Sequence, residues 1–402
     1  MKQGWEIKPL GEICTIKPPK AEARAKLSDR DEVSFAPMED LGIGVKYMQP
    51  LRARQLGEVS GSYTYFAEGD VLLAKITPCF ENGKLGIARN LHNGVGFGSS
   101  EYIVLRPKPL LDAEFLYYYL LRPKFTEEGA RTMTGAVGHK RVAKEFIENY
   151  PVPLPSLREQ RRIVAILDRA LDGIATAKAS AEKNLQNASY LFRSHLEHFF
   201  LRHCELFDSS SLEALADSDS PITYGVVKPG GEGDIAFVRG GDIAQGRVLM
   251  EQLRTIDETV SRQYRRTLLR GGELLISLVG QPGQVAVAPE ELKGANIARQ
   301  VGLIRLSKQA DANYVRYFLQ SPVGQAALGA KQSGSVQQVI NLGELREVMV
   351  PIPVLSVQRD AVKSLDAFSA SIERLTRVMQ SKLAALDDLK KSLLHQAFTG
   401  QL

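Results

Sequence analysis

The stretch that decides the fold is residues 153–168, PLPSLREQRRIVAILD, because its pattern returns at residues 351–366 as PIPVLSVQRDAVKSLD. One constant offset aligns the two stretches and continues without a gap to Phe200 and Phe398. Chance matches do not keep one offset over so long a distance. The chain therefore contains an internal repeat, which has to be identified first because it determines the fold class. The identical positions of the first copy include Pro153, Pro155, Leu157, Gln160, Arg161, Val164, Leu167 and Asp168.

Each copy opens with a Pro-x-Pro pair and continues without proline, which is tolerated just before a helix but not inside one. Ser156 and Glu159 have the spacing of a capping box. Apolar residues then recur at steps of three and four, which predicts two long, antiparallel, coiled-coil-like helices. Ordinary core helices are the alternative, but about 45 residues at ~1.5 Å each span ~68 Å, which is long for a core helix. The expected seam positions are Leu167, Leu171, Ile174, Ala181, Leu185, Ala188, Phe192 and Phe199, then Leu365, Phe368, Ile372, Leu375, Met379, Leu383, Leu386, Leu389 and Leu393.

The segments before the two helices also correspond. Residues 69–73 (GDVLL) and 272–276 (GELLI) each begin a series of short predicted strands with glycine-rich turns. A short aromatic helix is predicted in each copy, at residues 115–121 and 314–320, followed by a polar loop that contains glycine. The predicted fold class is α+β, with two mixed α/β domains separated by two long antiparallel helices in a pseudo-twofold repeat. We place the domains at residues 1–152 and 205–350, and the helices at 153–204 and 351–402.

Composition indicates an ordinary globular protein. The chain has 402 residues, 44% of them hydrophobic, and a net charge of +5, which is compatible with nucleic-acid binding but does not require it. The three cysteines are far apart and have no paired spacing, which favours reduced thiols. We see no signal-peptide pattern in residues 1–10 and no apolar run near the ~18 residues of a membrane span, so we expect a cytoplasmic protein without membrane contact.

Motifs for catalysis are missing from the sequence. Neither the Asn/Asp-Pro-Pro-aromatic motif of amino-methyltransferases nor a phosphate-binding G-x-x-x-x-G-K-[ST] loop is present. We interpret Gly94-x-Gly96-x-Gly98 as a turn and residues 291–293 (ELK) as a chance match to the end of a nuclease motif. Metal binding is conceivable at a helix end, but the second copy has only His395 there, so we expect no metal, cofactor or catalytic residues. That helix-end cluster consists of His195, His198, His203 and Cys204.

These features together resemble the specificity subunit of type I restriction-modification enzymes. The resemblance rests on residues 151–160 (PVPLPSLREQ), residues 389–400 (LKKSLLHQAFTG), residues 69–73, the Ile76-Thr77-Pro78 and Asn82-Gly83-Lys84 turns, and the loops around Gly135 and Gly334. The second copy departs from the pattern, with SVQR at residues 356–359 and GQPG at residues 280–283. The resemblance implies a non-catalytic subunit that binds double-stranded DNA, two copies of a methyltransferase (modification) subunit and a restriction subunit.

If the resemblance holds, each domain reads one half of a bipartite, asymmetric target in the major groove, where donors and acceptors distinguish the base pairs. Loops between strands are the natural readers because they vary while the scaffold stays fixed. A coiled-coil scaffold without DNA recognition is the alternative function, which a gel-shift assay of the complex would separate, and an enzyme is the third. The predicted DNA-binding residues are Lys75, Thr77, Asn82, Lys84, His139, Lys140 and Arg141 in the first domain and Tyr224, Arg239, Gln281, Gln284, Arg299, Gln300, Ser335, Gln337 and Gln338 in the second.

Overall fold

The computed structural model describes residues 5–50, 52–329, 332–333 and 339–402. The chain forms two compact units. The first unit contains Met1–Ala181 and Ser381–Leu402, and the second contains Glu182–Gln380. Each unit therefore includes one mixed α/β segment and one part of each long helix.

Short strands form the sheets of both units. The strands before the first long helix are β1 (Glu6–Pro9), β2 (Cys14–Ile16), β3 (Glu32–Ala36), β4 (Tyr47–Met48), β5 (Arg52–Gln55), β6 (Thr64–Ala67), β7 (Val71–Ala74), β8 (Leu85–Ala88), β9 (Val95–Gly98), β10 (Tyr102–Pro107) and β11 (Pro151–Leu154). The later strands are β12 (Ser209–Ser211), β13 (Thr223–Tyr224), β14 (Ile235–Val238), β15 (Ile243–Ala244), β16 (Arg247–Val248), β17 (Arg254–Ile256), β18 (Leu274–Ser277), β19 (Val285–Val287), β20 (Asn296–Ile297), β21 (Val301–Ile304), β22 (Gln332–Ser333), β23 (Val339–Ile340) and β24 (Met349–Pro351).

The α-helices are mostly short, apart from the two that the repeat predicts. They are α1 (Leu10–Ile13), α2 (Ala21–Arg24), α3 (Leu56–Val59), α4 (Ala113–Leu120), α5 (Pro123–Arg131), α6 (Lys144–Asn149), α7 (Leu157–Leu206), α8 (Leu212–Leu215), α9 (Glu258–Gln263), α10 (Ala312–Gln320), α11 (Pro322–Gly329), α12 (Leu342–Arg346) and α13 (Leu355–Thr399).

The two units share a sheet plan. In the first unit β3 pairs antiparallel with β5 and parallel with β9, and in the second β14 pairs antiparallel with β17 and parallel with β20. A second sheet in each unit has β7 between β10 and β8, or β18 between β21 and β19. The fold class predicted from the sequence is confirmed: two mixed α/β segments with two long helices. The domain boundaries that we drew remain predictions, since the compact units divide each long helix.

The long helices α7 and α13 have 50 and 45 residues. In the first unit their segments run antiparallel, because Arg162 bonds the carbonyl of Leu402 while Lys178 pairs with Asp387. In the second unit Phe192 stacks on Phe368, with ring centroids 6.0 Å apart. The prediction is wrong at two expected seam positions, because the side chains of Leu375 and Leu389 are 39% and 47% exposed.

The glycine-rich segment that we interpreted as one turn is a turn followed by a strand. Gly94 has a positive φ of 66°, as a turn requires. Gly96 and Gly98 lie in β9, where a Cβ on Gly96 would be 2.1 Å from the ring of Phe66. Glycine is therefore needed at position 96 for close packing in the core. None of the helices in the described part of the chain is long and apolar enough to cross a membrane.

Candidate nucleic-acid interface

In the first unit, the loop after β7 and the segment after the Gly135 loop lie side by side. The amide of Thr77 donates to the carbonyl of Lys140 at 2.9 Å, and the amide of Val142 donates to the carbonyl of Lys75 at 3.0 Å. The structure thus brings together four of the predicted binding residues, Lys75, Thr77, Lys140 and Arg141. Lys140 and Arg141 are exposed.

Glu101 contacts two of the three cations of this loop pair, Arg141 and Lys75. Its carboxylate accepts two hydrogen bonds from Arg141, from Nε at 3.0 Å and from Nη2 at 2.7 Å. Lys75 Nζ lies 3.7 Å from the same carboxylate and donates to the carbonyl of Ser100 at 2.9 Å. The hydrogen bonds from Arg141 lower the pKa of Glu101, so this carboxylate is ionised at neutral pH.

The other three predicted residues of the first domain differ in their exposure. Asn82 and His139 are exposed, and the carbonyl of His139 accepts from Arg141 Nη1 at 3.0 Å. Lys84 is partly buried, and its Nζ donates to the carbonyl of Met38 at 2.8 Å. One of the three N–H donors of the Lys84 ammonium is therefore occupied within the protein.

In the second unit, Arg239, Arg299 and Gln300 line a cleft of about 340 Å³, together with Arg254 and the glycine-rich residues 229–232. Arg239 is held by Asp242, with Nε 3.0 Å from Oδ2 and Nη2 2.7 Å from Oδ1. Arg299, Gln300 and Arg254 are exposed. The cleft therefore brings three cations, one amide and one carboxylate, that of Glu232, together around one concave surface.

The remaining predicted residues of the second domain are separate from this cleft. Tyr224 lies in β13 and is 43% exposed. Gln281 is exposed in the turn after β18. Gln284 lines another cavity, of about 890 Å³, between the sheet and the long helices. Ser335, Gln337 and Gln338 lie outside the described residues.

Basic edge strands are a feature that the sequence reasoning missed. Arg52 in β5 lies opposite Phe35 of β3, and Arg254 in β17 lies opposite Phe237 of β14. Both arginines are exposed, and both strands lie at the edge of their sheet. The internal repeat could have revealed this pair only after the short strands had been aligned, because the surrounding residues differ.

Glu101 was also missed, although its equivalent Gln300 was predicted. The amide of Lys75 donates to the carbonyl of Glu101 at 2.9 Å, and the amide of Leu278 donates to the carbonyl of Gln300 at 2.7 Å. The two residues therefore occupy the same backbone position in the two copies. An acidic residue is not an obvious candidate for binding a polyanion, so little in the sequence indicated Glu101.

The family profile described as type I restriction modification DNA specificity domain matches residues 2–185 and 229–381, most of the chain. The chain belongs to this family. It is 40% identical over 172 residues to the type I restriction enzyme EcoEI specificity subunit of Escherichia coli, a match that covers 42% of this chain. That match spans only 28% of the length of the EcoEI subunit.

Solved structures related to this family share the fold. A chain from a study of complex assembly and conformational transition of the type I R-M system has a TM-score of 0.77 at 19% identity, with 100% of this chain and 99% of that chain covered. The HsdS subunit from Thermoanaerobacter tengcongensis has a TM-score of 0.64, also at 19% identity, with 100% and 98% covered.

The histidines near the end of α7 serve packing and local hydrogen bonding in this member of the specificity family. His195 packs on Phe368 with centroids 4.4 Å apart. His203 stacks on Phe199, bonds the hydroxyl of Tyr314 at 2.9 Å, and has a pKa lowered by burial. Within the described ranges there is no group of three or more His, Cys, Asp or Glu residues that could hold a metal ion.

Proposed function

We propose that this chain is the DNA-reading specificity subunit of a type I restriction-modification complex. It recognises a bipartite, asymmetric target in double-stranded DNA, with one half-site for each recognition domain. The observation that carries the proposal is that polar loops recur at equivalent positions of the two copies, after β7 and β9 in one and after β18 and β20 in the other. Such loops are suited to reading base edges from a fixed scaffold.

The proposed division of the chain follows from the repeat. Residues 1–152 and 205–350 form the two target-recognition domains, and residues 153–204 and 351–402 form the helices that connect them. Two methyltransferase subunits and a restriction subunit are the proposed partners, which supply the chemistry that this chain lacks. The chain itself is non-catalytic and acts in the cytoplasm.

Among the predicted binding residues, support is strongest for Lys75, Thr77, Lys140 and Arg141, and for Arg239, Arg299 and Gln300. Each of these two sets is grouped within its unit, as described above. Asn82, Lys84, His139, Tyr224, Gln281 and Gln284 are proposed contacts at the margins of the two sets. Ser335, Gln337 and Gln338 are proposed on sequence grounds alone.

Mapping of methylated sites tests this function directly. A genome that expresses the chain with its modification subunit should carry methylation at one two-part sequence with a fixed spacer. Replacing residues 1–152 with the equivalent domain of a relative should change one half of that sequence and leave the other. A complex without sequence-specific methylation or gel-shift binding would contradict the proposal and favour a coiled-coil scaffold.

A further inference from the structure

The donor groups of Arg141 are only partly used inside the protein. A guanidinium group has five N–H donors. Three of them are taken within the first unit, since Nε and Nη2 donate to Glu101 and Nη1 donates to the carbonyl of His139. One N–H remains on Nη1 and one on Nη2. The side chain is 46% exposed, so this two-donor edge is accessible from solvent.

Arg239 in the second unit has the same arrangement. Its Nε and Nη2 donate to the two carboxylate oxygens of Asp242. The remaining contact of Nη2, with the carbonyl of Gln252, is long at 3.5 Å and is readily replaced by a better acceptor. Its side chain is 31% exposed and lines the cleft that contains Gln300. The Nη1/Nη2 edge of Arg239 therefore remains available to a ligand.

Two other arginines show that this pattern is not general. Arg106 also binds a carboxylate through Nε and Nη2, of Asp70, but its Nη1 is occupied by Glu22. Arg162 binds Glu159 in the same way, but it lies on α7 and its Nη2 also donates to the carbonyl of Leu402. Arg106 is thus surrounded by acids, and Arg162 is outside the loops of the recognition domain.

We propose that Arg141 and Arg239 each read one guanine, one in each half of the target, and that Glu101 and Asp242 are the positioning residues that aim them. The O6 and N7 atoms of guanine present two acceptors in the major groove, and a guanidinium edge with two parallel donors matches them. This inference rests on the proposed function, since it assigns individual base contacts within that function.

The carboxylates have two physical effects on such a contact. Holding Nε and Nη2 fixes the plane of the guanidinium before DNA arrives, which lowers the entropy cost of binding. A negative charge beside the arginine also repels phosphates, so the pair disfavours backbone contacts while it favours base contacts. Glu101 and Asp242 therefore raise discrimination between bases at the expense of non-specific affinity.

The test begins with the sequence that methylation mapping gives for the complex with its modification subunits. Each guanine of a duplex with that sequence is replaced in turn by 7-deazaguanine, which lacks the N7 acceptor. We expect binding to weaken by about tenfold at one guanine of each half-site, since the substitution removes one of the two hydrogen bonds to the arginine. Arg141→Met should abolish the effect in one half only, and Arg239→Met should abolish it in the other.

The positioning residues need a readout that a purely structural role would not change. For Glu101→Gln and Asp242→Asn we expect binding to random DNA to increase or stay equal while the preference for that one guanine falls about tenfold. Arg162→Met is the matched control, because Arg162 has the same carboxylate pairing on a helix, and it should leave every base preference unchanged. Circular dichroism melting identifies any variant that fails to fold.

Several results would overturn the proposal. They are a mapped half-site without guanine, a 7-deazaguanine scan without an effect, or an Arg141→Met variant that weakens binding equally for every sequence. The last result would make Arg141 a phosphate contact. In each case specific methylation of a bipartite sequence would persist. Loss of all specific binding by the unmodified complex would instead refute the proposed function.

Discussion

In each unit a buried glutamine near the start of a long helix makes the same set of hydrogen bonds to the preceding domain. Gln160 in α7 and Gln358 in α13 are both fully buried. Oε1 of Gln160 accepts from the amide of Asp112, and its Nε2 donates to the carbonyls of Leu110 and Pro155. Gln358 makes the same three contacts, with Asp311, Gln309 and Pro353. The repeat has kept the contacts that join each recognition domain to the start of a long helix.

Away from this joint the two units diverge. Lys46 in the first unit bonds both Asp168 and Glu114, at 2.6 and 3.0 Å. Asp168 also accepts from the hydroxyl of Tyr118. At the equivalent place in the second unit, Asp366 accepts from the hydroxyl of Tyr317 at 2.6 Å, is 57% exposed and lies 3.8 Å from Arg316. The comparison teaches that the buried backbone groups and the tyrosine hydrogen bond keep their partners in both units, whereas the cation beside the partly exposed carboxylate changes from a lysine to an arginine.

The largest effect that we predict concerns the shared glutamine. Gln160→Leu should lower the free energy of unfolding by about 4 kcal/mol, because it leaves one amide and two carbonyls without partners. Gln358→Leu should cost the same within about 1 kcal/mol. Urea denaturation measures both, with hydrogen exchange at the amides of Asp112 and Asp311 as the local readout. Unequal losses of stability in the two variants would show that the two glutamines are not equivalent.

The next effect concerns the packing of the strand that precedes each reading loop. In the first unit, Gly96 of β9 lies opposite Phe66 of β6. The equivalent residues of the second unit are Ala295 and Leu269, and the amide of Leu269 donates to the carbonyl of Ala295. Gly96→Ala should cost about 2–3 kcal/mol by overpacking against the ring of Phe66. Adding Phe66→Leu, which copies the second unit, should recover at least half of the loss.

Thermal melting of the two single variants and the double variant measures this coupling. Gly94→Ala is the control. A Cβ there meets nothing within 4 Å, so the cost should be limited to about 1 kcal/mol for the positive φ. If the effects of the two substitutions on stability simply add in the double variant, the sizes of residues 66 and 96 are not coupled.

A smaller effect separates the two carboxylates of the long helices. Asp168→Asn should destabilise the first unit by about 1–2 kcal/mol, and Asp366→Asn the second by about 0.5 kcal/mol, because only Asp168 holds a partly buried lysine. Burial by itself lowers the pKa of Lys46, but the hydrogen bonds to Asp168 and Glu114 outweigh it, so the pKa is raised above 10.5.

The raised pKa of Lys46 determines how the stability of the first unit depends on pH. The stabilisation from Lys46 is fully present below the ordinary lysine pKa and is lost as the pH rises through the higher folded-state value. Unfolding followed from pH 8 to well above the ordinary lysine pKa of about 10.4 should therefore show an alkaline loss of stability in the unmodified chain that is reduced in Asp168→Asn. An identical alkaline profile in the two proteins would contradict the role of this ion pair.

The smallest predicted effect concerns the edge-strand arginines. Arg52→Ala and Arg254→Ala should each weaken DNA binding several-fold for all sequences, and should reduce the slope of log K against log salt by about 1, as expected for a lost phosphate contact. Arg169→Ala, an exposed arginine of α7, is the control and should leave the slope unchanged. A change in base preference would instead indicate that these arginines contact bases.

The repeat, the two long helices and the class of each domain were predictable from the sequence. Pro-x-Pro pairs, helical periodicity and strand alternation are local signals, which survive in the order of residues along the chain. The grouping of Lys75, Thr77, Lys140 and Arg141 could be proposed from the loops that carry them. Exposure along the helices was less predictable, since Leu375 and Leu389 have the right spacing but face solvent.

Only the tertiary structure decided which residues act together. Glu101 became part of the candidate site because the fold brings it to Arg141, which is 40 residues away in sequence. Gln284 was separated from Gln300 for the same reason, since the two residues line different cavities. The sequence determines which elements form, through local propensity and periodicity. The partners of a charged side chain depend on long-range pairing, which no local pattern encodes.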